Sequence, residues 1–137
     1  MTISRTFRQL ETPHNGGSDP NPNNSPLDDW YCRIRDTPIT EFNDEDLCRA
    51  CRQAIHMDHV VPIAAAHLEE EPLAGDMYDG ELIVAMRSIP ANYWMSDLPN
   101  LERILWVAGR VKQLSNDKDI LHDVDERICK FENIRQI

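Results

Sequence analysis

Several groups of side chains in this chain have the types and spacing to do chemistry. Cys48-x-x-Cys51 can ligate zinc or exchange disulfides as a thiolate pair, and His56, His59 and His67 follow it closely enough to imitate a Cys2His2 ligand set. A single cysteine pair is a weak zinc signal, because a structural site takes four ligands. A redox pair belongs at a helix start beside a parallel sheet, and no segment here alternates as a strand does. On one straight helix Cys48 and His59 stand about 16 Å apart at ~1.5 Å per residue. One ion reaches both only if the chain breaks near Asp58 and folds back. Both cysteines lie on an apolar helical stripe, where thiols pack as small hydrophobes. The expectation is core packing, with no metal.

Asp58-His59-Val60-Val61-Pro62-Ile63, following a CxxC, is similar to the start of an HNH-type nuclease motif, in which the histidine is the general base. That motif needs a later histidine or asparagine on the metal and usually a second CxxC. Here AAAHLEEEPLAGDMYDGEL follows, with no second CxxC, and its acids repel a phosphate backbone. A metal-dependent nuclease using His59 is therefore the alternative reading.

The acids offer a different chemistry. Glu69, Glu70 and Glu71 run together, and residues 75–82, GDMYDGEL, add Asp76, Asp79 and Glu81 around Tyr78. These carboxylates do not follow an EF-hand spacing, so calcium is unsupported. A tyrosine among carboxylates suits a protein interface, where aromatic anchors and charge pairs supply specificity. The same acids can also merely face water or favour a helix start.

Charge balance places these acids in context. The chain has 137 residues, 14 Lys+Arg and 24 Asp+Glu, for a net charge of -10. Residues 41–81 hold eleven acids against Arg49 and Arg52, so nearly all of the excess sits there. Direct nucleic-acid binding is a poor fit, since it requires cations to neutralise phosphates. A concentrated negative surface attracts a basic partner instead. No apolar run approaches a membrane span, and the first residues lack a signal-peptide core. With four cysteines and no export signal, the expectation is a cytoplasmic protein.

The elements that must carry these residues read as helices. Ser25, Pro26 and Asp28 form a helix-start pattern, followed by Leu27, Trp30, Tyr31 and Ile34 on one face. Asn43 can cap a helix with Leu47, Cys48, Cys51, Ala54 and Ile55 on its inner stripe, and Asp58 the next, with Pro62 near its first turn. Asp79 can cap a third helix with Leu82, Ile83 and Met86 inside, ended by Pro90. Tyr93–Trp94 suggests a short turn at a junction, as core or anchor. Pro99 opens a longer helix, in which Trp106 reads as core. A last helix begins near Asp117 and buries Ile120, Leu121, Val124, Ile128, Phe131 and Ile134. Residues 12–26, TPHNGGSDPNPNNSP, cannot bury enough apolar surface to offset their ordering entropy. The fold expected is all-α: a single compact helical domain of five or six helices with a polar N-terminal loop. Residues 1–26 form an N-terminal segment with a mobile loop, and residues 27–137 the helical domain.

Residues 41–86 resemble the immunity proteins of contact-dependent growth inhibition (CDI) systems. The resemblance rests on Asp46-Leu47, Arg52-Gln53, Pro62 with Ala64 and Leu68, and above all Tyr78-x-Gly80-Glu81-Leu82. Leu10-Glu11, Cys32, Pro38 and Phe42 extend it upstream, so that it covers roughly residues 8–95. Cys51 stands where a bulkier apolar residue is the norm. The resemblance implies a small cytoplasmic helical protein that binds the C-terminal toxin domain of a large exported effector and has no catalytic residues. Such toxin domains are often nucleases. A basic toxin cleft and an acidic inhibitor match independently of the resemblance. The reading is thus a non-enzymatic immunity protein without cofactor or metal, in a 1:1 complex with its toxin. Its expected contacts are Glu69, Glu70, Glu71, Asp76, Tyr78, Asp79 and Glu81. A helical adaptor for another protein is the remaining alternative.

Overall fold

The structure, a computed structural model, describes residues 5–11 and 25–136. Among them are eight α-helices and no strand, so the all-α class holds with more helices than the five or six expected. Most of the polar loop expected at 12–26 lies outside the described residues. The chain divides between Phe42 and Asn43 into two compact units.

The first unit carries α1 (Phe7–Glu11), α2 (Pro26–Ile34) and a 3-10 turn at Ile39–Glu41. Ser25 starts α2 as its spacing predicts: the hydroxyl accepts from the Asp28 amide, and Pro26 takes a position whose N–H would have no helical partner. Phe7 stacks edge-on against Phe42 with centroids 5.3 Å apart and meets Tyr31 at 5.7 Å. The Tyr31 hydroxyl donates to Glu11, which also pairs with Arg35 at 3.3 Å.

The second unit carries the acids. Helix α3 (Asp44–Arg52) opens with a reciprocal box: Asn43 accepts from the Asp46 amide at 2.9 Å, and Asp46 accepts from the Asn43 amide at 3.3 Å. Helix α4 (Met57–Glu70) begins one residue before the predicted Asp58 cap. His56 precedes it in the left-handed region at φ 47, as does Ala54 at φ 51, and that reversal sets the start instead of a side-chain cap. Pro62 consequently lies in the second turn, where its missing N–H leaves the Asp58 carbonyl without its helical donor.

Helix α5 (Glu81–Ala85) is short, and every residue in it is buried. Gly80, at φ 89, precedes it where Asp79 had been the predicted cap. A 3-10 turn, Met86–Ser88, continues it towards α6 (Ala91–Ser96). Helix α7 (Leu98–Leu114) is capped by Asp97, and α8 (Lys118–Asp123) by Asp117. The chain then widens into a π turn at Val124–Ile128 and tightens to 3-10 at Cys129–Gln136. The closest associations pair α3 with α5 and α4 with α7. Val61, Leu68, Leu82, Ile83, Leu101 and Ile104 are fully enclosed in this core.

The two tryptophans take opposite places. Trp94 is fully buried, edge-on to Tyr93 and tilted against Phe131. Trp106 is 55% exposed, which corrects the core assignment. The buried stripe of α7 runs through Leu101, Ile104, Val107, Ala108 and Val111, and at ~100° per residue Trp106 points about 165° away from its centre. No helix of the described residues is long and apolar enough to cross a membrane.

Candidate functional site

The acids singled out in the sequence fall at the end of α4, in the loop after it, and at the start of α5. Glu69 and Glu70 close α4, and Glu71 follows as its last capping residue. All three are exposed at the negative end of the helix dipole, an unfavourable place for carboxylates. Glu69 is compensated by Arg103 of α7, whose guanidinium donates twice to Oε1, at 3.0 and 2.6 Å. That bond, more than any burial, holds the Glu69 carboxyl below the usual range. Glu71 lies 3.9 Å from His67. Glu70 enters no ion pair among the described residues.

Asp76, Met77, Tyr78 and Asp79 are all exposed, on a loop whose backbone is held from beneath. Glu81 does the holding. Its side chain is only 3% exposed, and Oε1 accepts the amides of both Asp76 and Met77 at 2.8 Å. Oε2 accepts from Arg52 of α3, also at 2.8 Å. Burial pushes the Glu81 carboxyl up, but the bonds from Arg52, Met77 and Asp76 outweigh it and keep the group ionised below the ordinary range. The loop closes with Gly80 N–H donating to the Leu73 carbonyl at 2.9 Å and Leu82 N–H to the Ala74 carbonyl at 3.1 Å.

Two glycines are required by this geometry. A Cβ at Gly75 would collide with the Tyr78 carbonyl and come within 2.8 Å of the Glu81 Cβ. Gly80 sits at φ 89, where side chains are strained, with Ile120 pressed close. The Tyr78-x-Gly80-Glu81-Leu82 run therefore encodes a clamp. Tyr78 supplies the exposed face, Gly80 the left-handed turn, Glu81 the internal acceptor and Leu82 the core contact.

Glu71 and Asp79 come together on the wall of an open pocket of about 400 Å³, with Asp44, Leu73 and Leu114. Glu81 parts company with the exposed set: it faces the protein's own backbone. Sequence reasoning missed two residues here. Arg52 was visible as one of only two cations among the acids of 41–81. Met77 was visible as an apolar residue inside a polar loop, yet nothing in its spacing marked it.

The remaining chemistry resolves differently. Cys48 and Cys51 are fully buried free thiols, as core packing predicts. Burial drives the Cys48 thiol far up and the Cys51 thiol up to about 12, so neither is a thiolate at neutral pH. His59 is exposed in the first turn of α4. Among the described residues one trio of metal-ligating side chains converges, Asp44, His67 and Glu71, with donor atoms within 4.8 Å of one another. Its closest pair, His67 Nε2 and Asp44 Oδ1 at 2.6 Å, already satisfies itself and pins the start of α3 to the end of α4.

No curated protein matches the sequence. A family model of CDI immunity proteins matches residues 12–104, which takes in α2 through α6, the clamp and its loop, and more than half of the chain. The chain belongs to the CDI immunity proteins.

Proposed function

We propose that this protein binds and neutralises the C-terminal toxin domain of its cognate CDI effector, as a 1:1 inhibitor without catalysis, acting in the cytoplasm. The contact is the acidic surface of Glu69, Glu70, Glu71, Asp76, Tyr78 and Asp79, while Glu81 positions the loop from within. The partner surface is basic, as a domain that holds phosphates must be. Family membership supports the immunity role.

The observation that carries the acidic contact is the placing of carboxylates where folding does not want them. Glu70 and Glu71 crowd the negative end of α4, and Asp76 and Asp79 ring an exposed loop. The charges at the end of α4 cost the isolated molecule stability, and all four carboxylates give it long-range attraction for a cationic surface.

The test mixes the purified protein with the cognate toxin domain over a range of salt concentrations. Toxin activity should fall to zero at one equivalent, and the association rate should drop steeply as salt rises. Tight binding at a salt-independent rate removes the acidic surface from the contact. Failure of any complex to form removes the immunity reading for this pair.

A further inference from the structure

We infer that Met77 is the apolar anchor of the toxin contact and fits a cation-rimmed apolar socket on the toxin, with the Gly75–Gly80 loop holding it in a preformed pose. This rests on the proposed toxin-binding role and names the residue and the partner chemistry that role uses.

Met77 is 79% exposed, more than any other large hydrophobic side chain among the described residues. Folding gains little from an apolar group left in water. Its backbone is held with unusual care: the Met77 and Asp76 amides share one buried carboxylate oxygen, whose partner oxygen is fixed by Arg52. Gly75 and Gly80 admit no ordinary side chain in this conformation, so the sequence is fitted to the displayed loop. A core-covering loop needs no such device to display a methionine. A binding loop does, because a segment ordered during folding need not be ordered again on binding.

The surroundings specify the partner. Asp76, Tyr78 and Asp79 are exposed beside Met77 in the sequence of the loop, so one short segment offers an apolar side chain together with two carboxylates. Interfaces concentrate affinity in apolar centres and leave charge to the rim. The complement is an apolar depression bordered by Lys or Arg. Methionine suits it, since its flexible thioether adapts to the shape of a pocket.

The experiment measures binding of the cognate toxin domain by Met77→Ala, Met77→Leu and Asp79→Asn, beside the wild type. Met77→Ala should raise the dissociation rate by about 10- to 100-fold and leave the association rate, its salt dependence and the melting temperature unchanged. Met77→Leu should stay within about threefold of wild type, because it keeps the volume. Asp79→Asn should slow association instead. If Met77→Ala dissociates like wild type while Asp79→Asn still slows association, the anchor is refuted and the acidic toxin contact stands. If Met77→Ala lowers the melting temperature in step with affinity, the residue serves the fold and the anchor is likewise refuted. If the wild type binds no toxin, the underlying role falls with it.

Discussion

Glu81 and Glu70 belong to the same acidic stretch, yet Glu81 is enclosed with three donors aimed at it while Glu70 faces water at the end of α4. The first carboxylate replaces its hydration shell with fixed partners and so pins a loop. The second keeps its water and adds a charge that the helix dipole opposes. Net charge counts the two equally, but they differ in sign as contributions to stability. In the proposed toxin contact the two have different parts: Glu81 shapes the face, and Glu70 charges it.

The largest effect expected from breaking this contrast is at Glu81. Glu81→Ala leaves two loop amides and the Arg52 guanidinium without their acceptor, and should destabilise the protein by about 2–4 kcal/mol. Urea denaturation measures it. A loss below about 0.5 kcal/mol, the range of an ordinary surface change, would place Glu81 among the dispensable acids. Gly75→Ala should come next, at about 2 kcal/mol, because the added methyl has to push the Tyr78 carbonyl and the Glu81 side chain apart. Its circular-dichroism melt should show the same helical content at a lower midpoint.

A smaller effect separates the carboxylates by pH. The Glu81 carboxyl titrates below its ordinary value of 4.5 in the folded protein, so its contribution is fully present above that value and is lost as pH falls through the folded pKa. Stability measured from pH 6 down to pH 3 should therefore decline less steeply in Glu81→Gln than in wild type. Identical limbs in wild type and Glu81→Gln would mean that water, rather than Arg52 and the loop amides, solvates the group.

How far the contrast was legible in the sequence follows from which interactions are local. Ser25 and Asn43 cap the helices they were expected to cap, and the last stretch of helix starts at Asp117 as expected, because these caps bond amides only two or three residues ahead. The buried stripe of α3 was legible from helical spacing as far as Cys51, but the helix ends at Arg52, so Ala54 and Ile55 fall outside it and are only half-buried; in α7 Trp106 has apolar character without a place on the stripe. The left-handed turns at Ala54 and His56 carry no glycine signal, so the cap position of α4 lies at His56, two residues before Asp58. Glu81 looked like its neighbours Asp76 and Asp79 for a similar reason. Its ion-pair partner, Arg52, lies on another helix, and no local pattern states that a carboxylate will turn inward.

The smallest predicted effect is also the one whose sign is hardest to reach by another route. Glu70→Gln removes a negative charge from the last turn of α4 and breaks no ion pair or hydrogen bond among the described residues. The dipole argument gives a gain in stability of about 0.3–1 kcal/mol at low salt, fading as salt screens it. The steering argument gives slower association with the toxin domain under the same conditions. A solvated, purely incidental acid yields the first change without the second, and an acid that supports the fold yields a loss in place of the gain. Only a carboxylate kept for a cationic partner gives a more stable protein that associates more slowly, so a urea titration and a stopped-flow measurement on this one variant separate the three.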